Sequence, residues 1–282
     1  MPIVVNSNAS ATQASFNLSR ANDSLRKSLA RLSSGNRINS PADDAGGLAV
    51  AYKLNSKLNR TEAVIQNSQN ALSYLQVQDA SLQTVGKVLD RMAELRTMAA
   101  DITKNSGDIE NYTKEFMELQ SQLNQISRES FNGISLFSDT DSAEVTGSLN
   151  KGTGTYIDAD GNDVAYTTFS RQLITHPDGQ ATDGSVSLNV VNLQFVLSVG
   201  TLAANGATNG EYDLGNIDAS NDTAGTTGGF INSILNVSVG QFTAAIEKLA
   251  DARAENGAEQ NRIMNSIDLL QTNMTNLEAA HG

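Results

Sequence analysis

Eleven positions near the carboxyl end of the chain, Phe242, Ile246, Leu249, Arg253, Asn256, Gln260, Ile263, Ile267, Leu270, Met274 and Leu277, follow one another at alternating intervals of four and three residues. That spacing averages 3.5 residues, so the positions share one face of a long helix and need a helical partner along their whole length. The same signal returns before the middle of the chain. Val85, Val88, Met92, Leu95, Ala99 and Ile102 step by three and four, and Phe116, Leu119, Leu123 and Ile126 repeat the pattern on a shorter helix. Leu18, Leu25 and Leu32 recur every seven residues, with Ala21 and Leu29 between them, giving Phe16 to Ser33 one apolar stripe. Leu54, Leu58, Ile65, Leu72, Leu75, Leu82 and Leu89 add more apolar surface than one partner covers, which implies neighbours.

Because the seams lie at opposite ends of the sequence, the chain must run out along one helix, build its middle segment and return. The middle segment is then an outgrowth of the helical core, and its composition differs. Between Ser138 and Phe230 stand 12 acidic and 2 basic residues, Lys151 and Arg171, a net of −10 out of −12 for the whole chain, together with 13 of the 22 glycines. Short alternating apolar runs predict strands over Gly154 to Ile157, Val164 to Phe169 and Ser185 to Leu197. Asp160-Gly161 and Asp178-Gly179 are turn signals, and Ala203 to Thr227 reads as loop. The expected fold is mainly α with a β-rich insertion: an elongated antiparallel coiled-coil or helical-bundle core, a β-hairpin and a variable β outer domain. The expected division is 1–45 for the first helix and its linker, 46–137 for the next helices, 138–229 for the acidic segment and 230–282 for the returning helix.

Three polar residues, Arg253, Asn256 and Gln260, interrupt the last seam beside Gly257. Two readings are open. A polar residue at a seam position fixes register when it meets a matching group; alternatively the stretch is solvated or breaks the helix.

The acidic balance argues against a nucleic-acid partner, which needs a basic surface. Zero Cys excludes thiolate catalysis and disulfides, no apolar stretch approaches ~18 residues, and the first residues hold no signal-peptide core. His176 and His281 are the only histidines, each isolated, and no H-E-x-x-H occurs. Neither an enzyme, a cofactor, a resident metal nor a membrane span is expected. Asp158, Asp160 and Asp163 in DADGND have the alternation of a calcium loop without its final Glu, so an acidic hairpin turn is the simpler reading.

Between the first two helices stands SSGNRINSPADDAGGLAVA, Ser33 to Ala51. Physically it is a helix stop at Gly35, a turn, and a restart from Ser40 with Pro41 at the first helical position and acids in the first turn. As a string it closely resembles the bacterial flagellin signature. RAENGAEQNR, Arg253 to Arg262, is similar to the flagellin R-A-x-x-G-A-x-Q-N-R, and SFNGISLF from Ser130 is similar to Q-F-N-G-x-x-L-L. The polar interruption of the last seam is thus a family motif. The resemblance covers about residues 1 to 137 and 230 to 282.

The resemblance implies a structural, non-enzymatic subunit of the flagellar filament that polymerises by coiled-coil packing for motility, lies outside the cell and leaves it through the flagellar type III apparatus without a cleavable signal peptide. Its implied partners are other copies of itself and the flagellar cap, hook-junction and export-chaperone proteins. Flagellins continue beyond the region represented here by Glu278 to Gly282 with a further helix that pairs with the first one. The chain stops at Gly282, so it reads as a partial flagellin. The family also implies a contact with the flagellin-sensing Toll-like receptor at Asp90 to Arg96, DRMAELR. Arg91, Glu94 and Leu95 agree with the family motif there, and Glu115 stands for its acidic partner. Asp90, Ala93 and Arg96 depart from that motif. Leu95 equally fits the seam, and Arg91 a solvated position beside it. A rival reading makes the chain a secreted adhesive or binding module, with residues 138–230 recognising a ligand on a helical stalk. Against it, Tyr156, Tyr166, Phe169, Phe195 and Tyr212 are scattered in sequence rather than clustered.

Overall fold

The computed structural model describes residues 9–138, 150–157, 163–179, 184–199, 212–213, 231 and 233–281. Five α-helices occur among them: α1 (Ala9–Ser34), α2 (Ala45–Ala99), α3 (Ser106–Ser127), the short α4 (Leu193–Leu197) and α5 (Val239–His281). The strands are β1 (Ser130–Phe131), β2 (Ile134–Ser135), β3 (Asn150–Ile157), β4 (Asp163–Ile174), β5 (Ser185–Val190), β6 (Ser198–Val199) and β7 (Tyr212–Asp213). Two compact units divide the chain, residues 1–59 with 275–282, and residues 60–274.

In the first unit α1 has no buried residue, and its leucine stripe faces outward throughout. Gly35 ends α1 with φ +69°, a left-handed conformation that glycine adopts freely. The restart differs from expectation. Ser40 to Asp43 form a turn closed by the Asp43 N–H on the Ser40 carbonyl at 2.9 Å, with Pro41 inside it. The helix begins only at Ala45, and Asp44 caps it by accepting the Gly47 N–H at 2.8 Å. Asp43 instead pairs with Lys27 of α1, whose ammonium holds the carboxyl below its ordinary value.

In the second unit the α2 and α5 seams pack antiparallel. Asn256 bonds the Leu75 carbonyl, whereas Leu249 lies against Gly86, so higher numbers on one helix meet lower numbers on the other. Leu75, Leu82, Val85, Leu89, Met92 and Leu95 of α2 and Phe242 and Ile263 of α5 are wholly enclosed. α3 closes the bundle, with Phe116 edge-on to Phe242 at 6.2 Å between centroids. An Asn105/Asp108 capping box starts α3, each side chain accepting the other's N–H. The predicted seam stops one seam position early: Ile102 is 99% exposed, because α2 ends at Ala99 and Asp101 turns the chain by accepting the Thr103 N–H.

The β1–β2 hairpin turns on Asn132 and Gly133, φ +52° and +76°, the positive pair that a type I′ turn requires. β3, β4 and β5 form an antiparallel sheet in that order. The strand expected over Ser185 to Leu197 is only half strand. It ends at Val190, and Asn192 then caps α4 by accepting the Phe195 N–H. Gly179 takes a positive φ in the predicted turn. Asp158, Asp160 and Gly161 lie outside the described residues, as does Ala203 to Thr227 except for β7.

Candidate functional site

The polar break in the α5 seam is buried and bonded. Asn256, 2% exposed, donates from Nδ2 to Gln78 Oε1 at 2.6 Å and to the Leu75 carbonyl at 3.3 Å, while Oδ1 accepts from Gln260 Nε2. Gln78 in turn donates to the Leu136 carbonyl at 2.7 Å, and the Tyr74 hydroxyl donates to the Ser135 carbonyl at 2.9 Å. A continuous network thus joins α5, α2 and the end of the β1–β2 hairpin. Burial pushes the Tyr74 hydroxyl above its ordinary pKa, which keeps it a donor. One turn from Asn256, Arg253 lays its guanidinium along the Asp79 carboxylate at 2.8 Å. α5 runs through Gly257 without a break. The partners on α2 were not singled out from the sequence. Their signal is Gln78 itself, which falls on the three-four spacing of Leu75, Leu82 and Val85 as the one polar residue there.

Arg91, Glu94 and Glu115 meet on an exposed face of α2 and α3. The Arg91 guanidinium donates to Glu115 at 2.7 Å and to Glu94 at 3.0 Å, so both carboxylates hold it charged. Leu95 does not join them. It is fully buried as a seam residue and offers no surface.

Beyond the seam, α5 caps the free edge of β5. Glu259 accepts the Asn189 N–H with both oxygens at 2.9 and 3.0 Å, and Arg262 donates to the Ser187 carbonyl at 2.7 Å. An unpaired strand edge is an aggregation hazard, and these side chains occupy it. Burial raises the Glu259 carboxyl to about 7, with the neighbouring Glu255 adding to the effect and the Asn189 N–H and Arg262 opposing it.

Among the described residues no group of acids and histidines is placed to hold a metal ion, and no helix is long and apolar enough to cross a membrane. The aromatic residues scattered in sequence are partly gathered: Tyr166 and Phe195 stack at 3.9 Å and Tyr156 stands edge-on to Phe195 at 5.9 Å.

Comparison with known proteins adds relatives to this geometry. The family model described as the bacterial flagellin N-terminal helical region matches residues 5–142. The flagellar filament 41 kDa core protein of Borreliella burgdorferi is 28% identical over 99% of this chain and 87% of its own length. The flagellar filament 33 kDa core protein of Treponema phagedenis is 28% identical over 99% of this chain and 84% of its own. Among solved structures, a putative flagellar hook-associated protein from Vibrio parahaemolyticus superposes with a TM-score of 0.59 at 17% identity, covering 86% of this chain and 99% of the other, a likeness of fold.

Proposed function

Because the chain belongs to the flagellin family and is a structural subunit of the bacterial flagellar filament, we propose that its copies are joined through the leucine face of α1. One observation carries this reading: a helix of 26 residues on which no side chain is buried, with Leu18, Leu25, Leu29 and Leu32 aligned on one face. Leucines in that arrangement are stable in water only when another surface covers them. A polymer of a self-assembling family supplies such a surface at every subunit. Placing Asp at both Leu25 and Leu29 is expected to abolish pelletable polymer while leaving the thermal melt of residues 60–274 unchanged. Polymer formation equal to the parent would refute the assignment. The adhesive reading gains no support from the relatives found.

The polar network at Asn256 serves, in this proposal, to fix the register of α5 against α2, and with it the shape each subunit brings to assembly. The flagellar cap, hook-junction and export-chaperone proteins are the further partners proposed, with export to the cell exterior through the type III apparatus. Loss of the chain from the medium of cells lacking that apparatus tests the last point.

A second reading, favoured by the exposed Arg91–Glu94–Glu115 cluster, is contact with the flagellin-sensing Toll-like receptor. An arginine held in position by two carboxylates loses little freedom on binding and suits an interface anchor. Arg91→Ala is expected to weaken receptor binding at least tenfold. An unchanged response would end this reading.

A further inference from the structure

Four asparagines are followed directly by glycine: Asn132, Asn205, Asn209 and Asn256. Such an asparagine can lose its side-chain amide without any enzyme, because a glycine carries no Cβ to keep its main-chain nitrogen from the asparagine Cγ. Asn205 and Asn209 lie outside the described residues. The other two stand in opposite surroundings. Asn256 is buried within α5, both heavy atoms of its amide are hydrogen-bonded, and the Gly257 nitrogen belongs to the helix ladder. Asn132 and Gly133 are exposed at the tip of the β1–β2 hairpin. Among the described residues the Asn132 side chain makes no hydrogen bond, and nothing lies within 4 Å of where a Cβ on Gly133 would stand.

The hairpin is fastened at its base and loose at its tip. The Leu136 N–H donates to the Glu129 carbonyl at 3.1 Å, while Gln78 and Tyr74 of α2 hold the Leu136 and Ser135 carbonyls. Phe131 stands edge-on to Tyr74 at 6.2 Å. Past Phe131 and Ile134 only the two turn residues remain, and each strand is two residues long. The left-handed turn does not itself favour cyclisation, which needs a more extended backbone at Asn132, so ring closure waits for the tip to open. A two-rung ladder surrounded by solvent opens far more often than the enclosed helix around Asn256.

We propose that Asn132 is a site of spontaneous conversion to aspartate and isoaspartate, with the fold left standing around it. In the opened tip the Gly133 nitrogen gives its proton to hydroxide and bonds to Asn132 Cγ. The Cγ–Nδ2 bond breaks, Nδ2 leaves as ammonia, and a succinimide ring results. Water then opens the ring on either side. Breaking the bond from the Gly133 nitrogen to Cγ gives ordinary aspartate; breaking its bond to the main-chain carbonyl carbon leaves the chain running through Cγ, as isoaspartate. One water is consumed, one ammonia is released, and nothing is oxidised or reduced. Each product places a carboxylate where a neutral amide stood, and isoaspartate also adds one atom to the main chain of the turn. Since the fastenings lie at the base, the change stays at the tip.

The full chain is incubated at pH 8.5 for several weeks, in buffer and in urea. Each Asn-Gly peptide is followed by the mass gain of amide-to-acid conversion, with an isoaspartyl carboxyl methyltransferase to label isoaspartate. In buffer the Asn132 peptide is expected to convert at least about ten times faster than the Asn256 peptide, and in urea the two should convert alike. Asn132→Gly is the control, since a Gly-Gly pair also suits a type I′ turn; its hairpin peptide should take no label. An Asn132 peptide that stays intact in buffer while converting in urea would show that the turn protects it, and the proposal would be overturned. Equal rates for Asn132 and Asn256 in buffer would overturn it too, by removing the selectivity that the structure implies. A melting midpoint that falls in the aged parent but not in equally aged Asn132→Gly would show that the base does not hold, against the local change proposed.

Discussion

Single residues carry the clearest consequences on α5. Asn256 was legible as a polar break, but its role was not, because its partners Leu75 and Gln78 are about 180 residues away and no local rule links them. Removing the amide by Asn256→Ala leaves Gln78 Oε1 without its donor and Gln260 Nε2 without its acceptor inside the seam, whereas the Leu75 carbonyl keeps the bond of its own helix. The fully buried orphan on Gln78 costs about 1–3 kcal/mol, and a loss of roughly that size is expected from urea unfolding. Exchanging both Asn256 and Gln78 for leucine should recover only part of that loss, because the Leu136 carbonyl then loses its Gln78 donor and Gln260 its acceptor. Glu259 has the opposite character. Its carboxyl titrates near 7 in the folded protein against an ordinary 4.5, so ionisation costs more in the folded state than in the unfolded one. The penalty is absent below the ordinary value, grows as pH rises between the two, and is complete above 7. At about 1.4 kcal/mol per pH unit the ceiling is about 3 kcal/mol. Glu259→Gln is therefore expected to raise stability at pH 8 and to flatten its decline between pH 5 and pH 7. Denaturant midpoints across that range check this, and a parallel decline in both proteins would refute it.

At the level of elements, what was legible followed how far each signal stays local. Seam spacing needs only the helix's own turn, so α2, α3 and α5 could be read directly. Boundaries depend on which side chain wins a backbone N–H. Ser40 and Pro41 looked like a helix start, yet the turn from Ser40 to Asp43 uses those groups, and Asp44 takes the capping role. Asp101 likewise ends α2 before Ile102, which the spacing alone would have placed in the core. The stretch from Ser185 to Leu197 mixes two periods: it alternates to Val190, and then Asn192 caps a helical turn whose Leu193, Val196 and Leu197 point into the core together. An asparagine ahead of a non-alternating apolar run was the available sign, and its weight came from tertiary packing.

In the whole molecule, the residues that fill the core belong to residues 60–274. There Leu188, Val191, Leu193, Val196 and Leu197 of the insertion join the same cluster as Leu82, Met92, Phe116 and Phe242. Sheet and bundle share that core, so they should lose structure in one transition. α1 contributes nothing to it. A helix of 26 residues without tertiary burial rests on propensity alone, and that is marginal in water. Hydrogen exchange should then separate the two units by orders of magnitude. Peptides within residues 9–34 are expected to exchange almost at the rate of an unfolded chain, and those spanning residues 82–95 and 242–270 only at the rate of global unfolding. Side-chain truncation should divide in the same way. Leu82→Ala removes a wholly enclosed side chain and should cost about 3–5 kcal/mol, whereas Leu25→Ala should change the melt by less than about 0.5 kcal/mol. Polymerisation should narrow that gap, since covering the leucine face gives α1 the burial it lacks alone. Slow exchange within residues 9–34 of the monomer would show that α1 has a partner inside the single chain, and the assignment of its leucines to contacts between copies would fall with it.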